Sequence, residues 1–500
     1  TTEIYTLSLH DALPICAAFN LPSDVVVAGD VTIESADLIV GANSISVGQD
    51  LVVTGAGAQL IMTDAASDVD VAGSATFDGT THFGSLTDGT LQIGGDLTVT
   101  GSSTTGFAAT GGHTTVFDGG GAQTIDFASP GPTLLRFRNV FFSNVNGAVA
   151  LGSDVVATGS FSSDSDATVD GSAVRVSVGG SYTPGGGVSV GEVEIIGDLT
   201  AINASIASDV IVSSTFTLPG DLTVNGNVTV GFGSFFVGGN TLTLNIGDLT
   251  ITGPNSRIFM TDAADTVTVI GNGIDGGNVT FAGASHLAAL TNGRLTLTGD
   301  FTASGDPQAF VGSGNHEVYF VTFIEQVVTM DNPGPTGQRF ADFVVANTGP
   351  VNLSTDVFVM DTFDLADGDM GVTAPGPTLE IRGTMVIEEA TFDGLPVRLV
   401  STRDPTLHQV SAFMTFLNMQ GSDTQFYARL PGSGQTPGLQ LTDVTFDQVL
   451  TPGVGYYLDV ASTNGQPWQV QMAGTPVPGN AIPAVDYLVS VPVSVVWPWP

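Results

Sequence analysis

Short stretches in which apolar and polar residues alternate recur along the chain, each enclosed by glycines. Four variants of one phrase are GDLTVTG (95–101), GDLTVNG (220–226), GDLTITG (247–253) and GDFTASG (299–305). Alternation with a period of two predicts β-strands that bury one side. Val, Ile, Thr and Phe dominate, and no amphipathic segment of about ten residues predicts a helix. The sequence therefore predicts an all-β protein.

The aspartates of this phrase return at intervals in the twenties, as Asp198, Asp221 and Asp248 show. A period of this length is typical of one coil in a β-solenoid. A string of β-sandwiches, with about 100 residues per module, and a β-propeller, with about 40–50 residues per blade, are the alternatives. The short period favours a parallel β-helix, which we expect to be right-handed.

A block of about 200 residues occurs twice. QLIMTDAASDVDV (59–71) matches RIFMTDAADTVTV (257–269), and 75–101 matches 279–305. We therefore expect two tandem solenoid copies. The predicted divisions are a first copy at 17–208, a second copy at 209–383, further β coils or a cap at 384–474, and a proline-rich linker or truncated end at 475–500.

The first residues do not share this pattern. TTEIYTLSLHDALPI (1–15) matches the translation of an adapter oligonucleotide used in short-read sequencing. We interpret 1–16 as adapter-derived and exclude it from fold prediction. Cys16, the single cysteine, then belongs to the junction. We accordingly expect a fragment whose natural N-terminus, including any signal peptide, is missing.

The charge balance is strongly acidic, with 49 Asp and Glu against 10 basic residues and a net charge of −39. Such a surface repels nucleic-acid phosphates and anionic lipid, so neither is expected as a partner. It attracts Ca²⁺, which prefers carboxylate oxygens. The chain has no Lys for Schiff-base chemistry and no cysteine pair for a disulfide. No apolar run of about 18 residues predicts a membrane-spanning helix.

Two groups of aspartates are candidate Ca²⁺ sites. Short Asp spacings around glycine can present several oxygens to one ion, although neither group matches an EF-hand loop. Asp is also a common turn residue, because its side chain bonds nearby backbone, and this alternative stays open. Ca²⁺ is the one cofactor that the sequence indicates. The candidate ligands are Asp164, Asp166 and Asp170 in DSDATVDG, and Asp361, Asp364, Asp367 and Asp369 in DTFDLADGD.

Motifs of catalysis and nucleotide binding lack their structural context. GVSVG (187–191) fits G-x-S-x-G, but a nucleophile elbow needs a helix after the turn, and more strand follows Ser189. GNGIDG (271–276) fits G-x-G-x-x-G, again without a following helix. Histidines recur at matched positions of the two copies, which indicates a structural role. We predict no catalytic residue. The matched histidines are His82 with His286 and His113 with His316.

Three features together carry a family resemblance: the glycine-rich phrases, the SPG and NPG bends, and phenylalanine-rich coils such as RFRNVFFSNV (136–145). They resemble bacterial β-strand-repeat surface proteins, namely the β-helical passengers of autotransporters and filamentous-haemagglutinin-type adhesins. The resemblance covers most of 19–475. It implies export to the cell surface or medium, a structural or adhesive role, and surface glycans or other surface proteins as partners.

A glycan-active enzyme is the alternative. β-Helix polysaccharide lyases and glycoside hydrolases use clustered Asp in a surface groove, and paired carboxylates can serve as general acid and base. The absence of Lys and the scattered Arg residues count against this alternative. The prediction is therefore a non-enzymatic β-solenoid.

Overall fold

The structure is a computed structural model. It is all-β and contains no helix in the residues that it describes; parallel strands stack there as a β-solenoid of about 16 turns. This confirms the predicted fold class. Accordingly, no helix of the described part is long and apolar enough to cross a membrane. The described residues are 13–15, 17–79, 81–101, 103–273, 276–373, 376–381, 384–387, 391–393, 397–400, 426–429, 439–441, 456–459, 467–472, 487–492 and 494–497.

The chain divides into two compact units, Thr1–Leu222 and Thr223–Pro500. The strands of the first unit are β1 Leu13–Ile15, β2 Phe19–Asn20, β3 Val25–Val27, β4 Val31–Ile33, β5 Asp37–Ile39, β6 Ser44–Val47, β7 Leu51–Thr54, β8 Gln59–Ile61, β9 Asp68–Val71, β10 Ala75–Asp78, β11 Thr90–Ile93, β12 Leu97–Thr100, β13 Thr114–Phe117, β14 Gln123–Phe127, β15 Asn139–Phe142, β16 Ala148–Leu151, β17 Val155–Ala157, β18 Ser160–Ser163, β19 Thr168–Val178, β20 Ser181–Thr183, β21 Gly187–Ile195, β22 Ala201–Ile202, β23 Ser205–Ile206, β24 Asp209–Val212 and β25 Phe216–Thr217.

The division falls within β26 Leu222–Val224. The strands of the second unit are β27 Val228–Val230, β28 Ser234–Phe236, β29 Thr241–Leu244, β30 Leu249–Gly253, β31 Arg257–Phe259, β32 Thr266–Val269, β33 Val279–Gly283, β34 Arg294–Leu297, β35 Phe301–Gly305, β36 Glu317–Phe320, β37 Gln326–Met330, β38 Phe340–Leu353, β39 Val357–Val372, β40 Leu379–Ile381, β41 Thr384–Ile387, β42 Thr391–Asp393, β43 Val397–Val400, β44 Phe426–Arg429, β45 Leu439–Leu441, β46 Tyr456–Asp459, β47 Pro467–Met472, β48 Tyr487–Pro492 and β49 Ser494–Trp497.

Most strands pair with a strand one coil away rather than with their neighbour in sequence, whereas the long strands β38 and β39 pair with each other. In the first unit, Ala75 of β10 pairs in parallel with Leu51 of β7 on one side and with Leu97 of β12 on the other. The nine strands β3, β6, β9, β11, β13, β15, β18, β20 and β22 form one such sheet. In the second unit, β32, β34, β36 and β38 pair in the same way.

The interior of each unit is a stack of apolar side chains, because every second residue of a strand points inward. Phenylalanines form its centre. In the first unit the rings of Phe77 and Phe137 both contact Phe107, with centroids 5.0 and 5.6 Å away. In the second unit the equivalent contacts join Phe310 to Phe281 and Phe340, at 4.8 and 5.3 Å. The rings that line these contacts are fully buried.

The two glycines of the repeated phrase have different roles. The closing glycine adopts a left-handed conformation, with φ of +87° at Gly101 and +97° at Gly253, which a side chain disfavours. The opening glycine allows close approach of the preceding coil. A Cβ at Gly247 would lie 2.1 Å from the carbonyl oxygen of Gly226. GDLTITG therefore begins and ends where a side chain does not fit, whereas a Cβ at Gly220, which opens GDLTVNG, would meet nothing within 4 Å.

The aspartate of the phrase bonds the next coil. In the first unit, Asp50 Oδ1 accepts a hydrogen bond of 2.7 Å from Ser74 N–H. In the second unit, Asp248 Oδ1 accepts one of 2.8 Å from Asn278 N–H. We call the column of such residues in each unit its polar ladder. Further members include Asp30, Ser74, Asp96, Asn227, Asn278 and Asp300.

The described part of the predicted adapter-derived segment forms a strand. β1 pairs in parallel with β4, with Leu13 beside Val31 and Ile15 beside Ile33. Ile15 is buried. The origin of these residues stays a prediction from the sequence.

Candidate functional site

The first predicted Ca²⁺ group lies at an exposed turn of the first unit. Asp164 and Asp166 lie between β18 and β19, and Asp170 lies within β19; all three are exposed. Local hydrogen bonds occupy part of the group. Ser165 Oγ donates to Asp166 Oδ1 at 3.2 Å, and Ser172 N–H donates to Asp170 Oδ1 at 3.4 Å.

The second predicted group is spread along one strand. Asp361, Asp364, Asp367 and Asp369 all belong to β39 rather than to a single loop. Opposite them in β38 lie different segments: Asp364 pairs with Val344, and Asp369 pairs with Pro350 after shifts in register. Among the described residues, no three or more His, Cys, Asp or Glu side chains form a group that could hold a metal ion. Ca²⁺ binding at either group stays a prediction.

A different constellation forms on the outer face of the second unit, where outward residues of successive coils line up. Register places Arg294 of β34 beside Glu317 of β36, and Glu317 beside Asp342 of β38. Tyr319 and Asp364 occupy the outward positions two residues further along β36 and β39. We call these five residues the charged row.

Arg294 contacts two other members of the charged row, Glu317 and Tyr319. Its Nε donates to Glu317 Oε2 at 3.0 Å, and its Nη2 donates to the Tyr319 hydroxyl at 3.3 Å. Its guanidinium carbon also lies 4.1 Å from the centroid of the Tyr319 ring, a cation–π arrangement. On the next coil, Asp342 Oδ1 accepts a hydrogen bond of 2.8 Å from Thr362 N–H. The row thus combines a cation, an aromatic ring and three carboxylates.

The electrostatics of the row favour neutral forms of two acids. Partial burial raises the pKa of Asp342, the hydrogen bonds from Thr362 oppose this, and the negative charges of Asp361 and Glu317 add to it. Partial burial also raises the pKa of Tyr319, and the charge of Glu317 adds to that shift. A carboxyl group held towards its neutral form can donate a proton or a hydrogen bond.

A smaller cluster in the first unit joins Arg175 to two glutamates. Arg175 Nε bonds Glu192 Oε1, and Arg175 Nη1 lies 3.6 Å from Glu194 Oε2. Two serine hydroxyls, of Ser177 and Ser213, donate to Glu194 at 2.6 and 2.7 Å. Its carboxylates are therefore largely engaged in bonds within the cluster.

The matched histidines are buried in the interior. Leu60 N–H donates to His82 Nε2 at 3.1 Å, and Ile258 N–H donates to His286 Nε2 at the same distance. Burial lowers the pKa of both to about 4. Burial also lowers the pKa of His113 to about 4 and of His316 to about 3. All four are therefore neutral core residues at neutral pH, as their repetition indicated.

Ser189 of the G-x-S-x-G motif lies exposed within the extended strand β21, without the strand–turn–helix context of a nucleophile elbow. The charged row, in contrast, was not recognised from the sequence. Its members on successive coils lie more than 20 residues apart, Arg294 and Glu317 by 23, so only an alignment of successive coils brings them together. Arg294, at an outward position of the alternating stretch NGRLTL, is the signal that could have started that alignment.

Comparison of the chain with protein-family models, with curated proteins and with solved structures finds no match. The function must therefore be argued from the residues and geometry above.

Proposed function

We propose that this chain is an exported structural and adhesive β-solenoid of a bacterial cell surface that acts without catalysis. The observation that carries the proposal is the polar ladder, in which side chains bond the backbone of the next coil. A ladder of this kind uses its carboxylates for cohesion between coils. Cohesion of repeated coils is the property that a stalk or surface-layer component requires.

The composition of the ladder limits repulsion between its own charges. In the second unit it runs Asn227, Asp248, Asn278 and Asp300, so neutral and charged rungs alternate. In the first unit Ser74 lies between Asp50 and Asp96. Like charges directly opposite each other on neighbouring strands are destabilising. The alternation therefore keeps the charge-assisted hydrogen bonds while separating most of the charges.

The exposed face supplies the adhesive part of the proposal. The charged row presents a guanidinium, a phenol and carboxylates. These groups can donate hydrogen bonds to the hydroxyl groups of a glycan and accept hydrogen bonds from them. Arg294 and Glu317 side chains are 49% and 36% exposed, so a ligand can reach them. The row lies on a regular sheet, which fixes the spacing of these groups from coil to coil.

Binding without turnover is the test. The full chain, coupled to beads, is offered a panel of neutral, acidic and amino-sugar polysaccharides, and both retention and newly formed chain ends are measured. We expect retention of at least one polysaccharide, weakened by Glu317→Gln and not by Glu192→Gln. The matched control alters a glutamate paired with arginine outside the charged row. Retention that Glu317→Gln leaves unchanged contradicts the adhesive role. Failure to retain any polysaccharide of the panel contradicts it as well.

A glycan-cleaving enzyme is the second candidate, and the raised pKa of Asp342 beside Glu317 favours it. A neutral carboxyl next to a charged one is the pairing that glycoside hydrolysis uses. The same panel decides between the two. New reducing ends or unsaturated products that disappear in Asp342→Asn would establish the enzyme and exclude the non-catalytic role.

A further inference from the structure

The turn after β35 in the second unit contains Asp306 and Pro307. Pro307 is exposed and Asp306 is half-buried, so water reaches the peptide bond between them. Asp306 Oδ1 accepts a hydrogen bond of 2.7 Å from Gln308 N–H, two residues on. This local bond turns the carboxylate towards the backbone that follows Asp306 in sequence.

The carbonyl of the Asp306–Pro307 bond has two donors. Ala309 N–H donates to Asp306 O at 2.8 Å, and Gln338 Nε2 donates to the same oxygen at 3.0 Å. Both distances lie in the range of an oxyanion hole, where donors stabilise negative charge that develops on a carbonyl oxygen. The carbonyl carbon is thereby activated towards a nucleophile.

The second donor is held in place by its own neighbours. Gln338 is fully buried. Its Oε1 accepts 2.9 Å from Asn332 N–H, and its backbone N–H donates 2.9 Å to Asn332 O. With the oxygen of the amide bound, its NH₂ group is directed at Asp306. A buried amide is thus dedicated to the carbonyl of one exposed turn.

The equivalent turn of the first unit has the same backbone bonds and none of the reactive groups. Ser103 and Thr104 replace Asp306 and Pro307, and Leu135 replaces Gln338. The Ser103 hydroxyl accepts a hydrogen bond of 3.4 Å from Thr105 N–H. The Ser103 carbonyl accepts one of 3.3 Å from Gly106 N–H. Nucleophile, leaving group and second donor are therefore present together in one unit and absent together from the other.

We propose that the Asp306–Pro307 peptide bond is a self-cleavage site that is activated by the fold and driven by mild acid. The Asp306 carboxylate attacks its own main-chain carbonyl carbon, and the new C–O bond closes a five-membered cyclic anhydride. Ala309 N–H and Gln338 Nε2 bind the oxyanion that forms. The C–N bond to Pro307 breaks, and a proton from the solvent goes to the proline nitrogen. Water then opens the anhydride to two carboxyl groups.

The reaction consumes one water and needs no other reagent. Proline suits the leaving position, because its nitrogen carries no N–H and belongs to a tertiary amide. Its products are a chain that ends at Asp306 and a chain that begins at Pro307. The pairings of β35 with β37 and of β36 with β38 continue on both sides of the cut. The nicked protein therefore stays assembled until it is denatured.

Other charged groups lie around this turn and must be considered with the pH. The backbone N–H of His286 donates a hydrogen bond of 2.8 Å to Gln308 O, and the backbone N–H of Arg339 donates one of 3.0 Å to Phe310 O. The side chain of Asp331 accepts one of 3.2 Å, at Oδ2, from Gly305 N–H. Burial lowers the pKa of His286 to about 4. Cleavage is therefore measured at about pH 5, where acid is available and this core histidine is still neutral.

The experiment follows the full chain at about pH 5 with and without urea, by intact mass and by N-terminal sequencing. Folded chain is expected to yield a new N-terminus Pro-Gln-Ala-Phe at least about tenfold faster than unfolded chain, since unfolding removes both carbonyl donors. The second Asp–Pro bond of the sequence, Asp404–Pro405, lies outside the described residues and reports the ordinary lability of such a bond. Equal cleavage of Asp306–Pro307 in folded and unfolded chain overturns the proposal.

Variants identify the chemistry. Gln338→Leu introduces the residue of the first unit and is expected to slow cleavage about tenfold or more by removing one donor. Pro307→Ala and Asp306→Ser are expected to abolish it. Circular dichroism verifies that each variant remains folded, and Pro307→Ala, on an exposed residue, decides the matter where Gln338→Leu does not fold. A folded Gln338→Leu or Pro307→Ala variant that is cleaved at the normal rate refutes the mechanism.

Discussion

The interiors of the two units are built alike, and the units differ on one outer face. At the positions where the second unit carries Arg294, Glu317 and Asp342, the first carries Thr90, Thr114 and Asn139. Even the local bond persists: Asn139 Oδ1 accepts 3.0 Å from Ser160 N–H, as Asp342 Oδ1 does from Thr362 N–H. The two copies have therefore kept the packing while these exposed positions diverged, as the binding role proposed for the charged row requires.

The largest expected effect breaks the shared interior. Phe107→Ala and Phe310→Ala each remove a ring that contacts three other phenylalanines, and each should lower the free energy of unfolding by about 3–5 kcal/mol. Urea unfolding, monitored by hydrogen exchange, measures the free energy of unfolding of both variants. Because the two positions are equivalent, a large loss of unfolding free energy in one unit and none in the other would contradict the similarity of the two interiors.

The buried histidines give the next largest effect. The pKa of His82 and His286 in the folded state is about 4, below the ordinary value of 6.5, so the unfolded state binds protons first as the pH falls. The stability contributed by each neutral ring is complete above about pH 6.5 and is lost towards pH 4, by roughly 3 kcal/mol per residue. Unfolding experiments between these pH values measure the slope.

The control for that experiment is His82→Gln, which keeps a polar side chain without a titrating group. The slope of stability against pH between about pH 6.5 and 4 should decrease in this variant. An unchanged slope would show that other groups cause the acid sensitivity.

A polar-ladder substitution should have an intermediate effect. Asp248→Ala removes the acceptor of the Asn278 N–H bond and should cost about 1.5–3 kcal/mol, the range for hydrogen bonds to charged groups. Asp248→Asn keeps an acceptor oxygen and should cost less. Thermal unfolding of both variants measures the difference, and equal stability of Asp248→Ala and wild type would remove the ladder as a source of cohesion.

The charged row gives a smaller and oppositely directed effect. The pKa of Asp342 is raised in the folded state, so its ionised form opposes folding, and this penalty grows as the pH rises above the unfolded-state value. Asp342→Asn, which copies Asn139, should therefore stabilise the protein at neutral pH and lose this advantage in acid. Urea unfolding at both pH values measures the effect; destabilisation at neutral pH would contradict the assignment.

The smallest effect concerns Ca²⁺. If the predicted groups bind it, calorimetry should detect binding that decreases in Asp164→Asn, with Asp24→Asn as an exposed control elsewhere in the first unit. Binding that is unchanged by Asp164→Asn would contradict a site at that turn.

Period-two alternation and the repeat length were sufficient to predict the fold, because both follow directly from a strand that buries one side and a coil that returns. Asp50 and Asp248 were evident as repeated residues, but their bond partners lie one coil further on. Finding those partners requires the exact coil length, which insertions such as 271–276 change. The charged row was hidden for the same reason, since the register shifts of β38 against β39 separate spacing in sequence from position on the face.

Because each coil presents the next with a parallel backbone edge and a ladder acceptor, whether Asp, Asn or Ser, a complete coil can be gained or lost as a unit. Removing one whole coil would let its two neighbours meet with their customary partners. Removing one or three residues from inside a strand would instead turn apolar side chains outward, because side chains alternate between the two faces. The gene can thus lengthen or shorten a unit in steps of one coil.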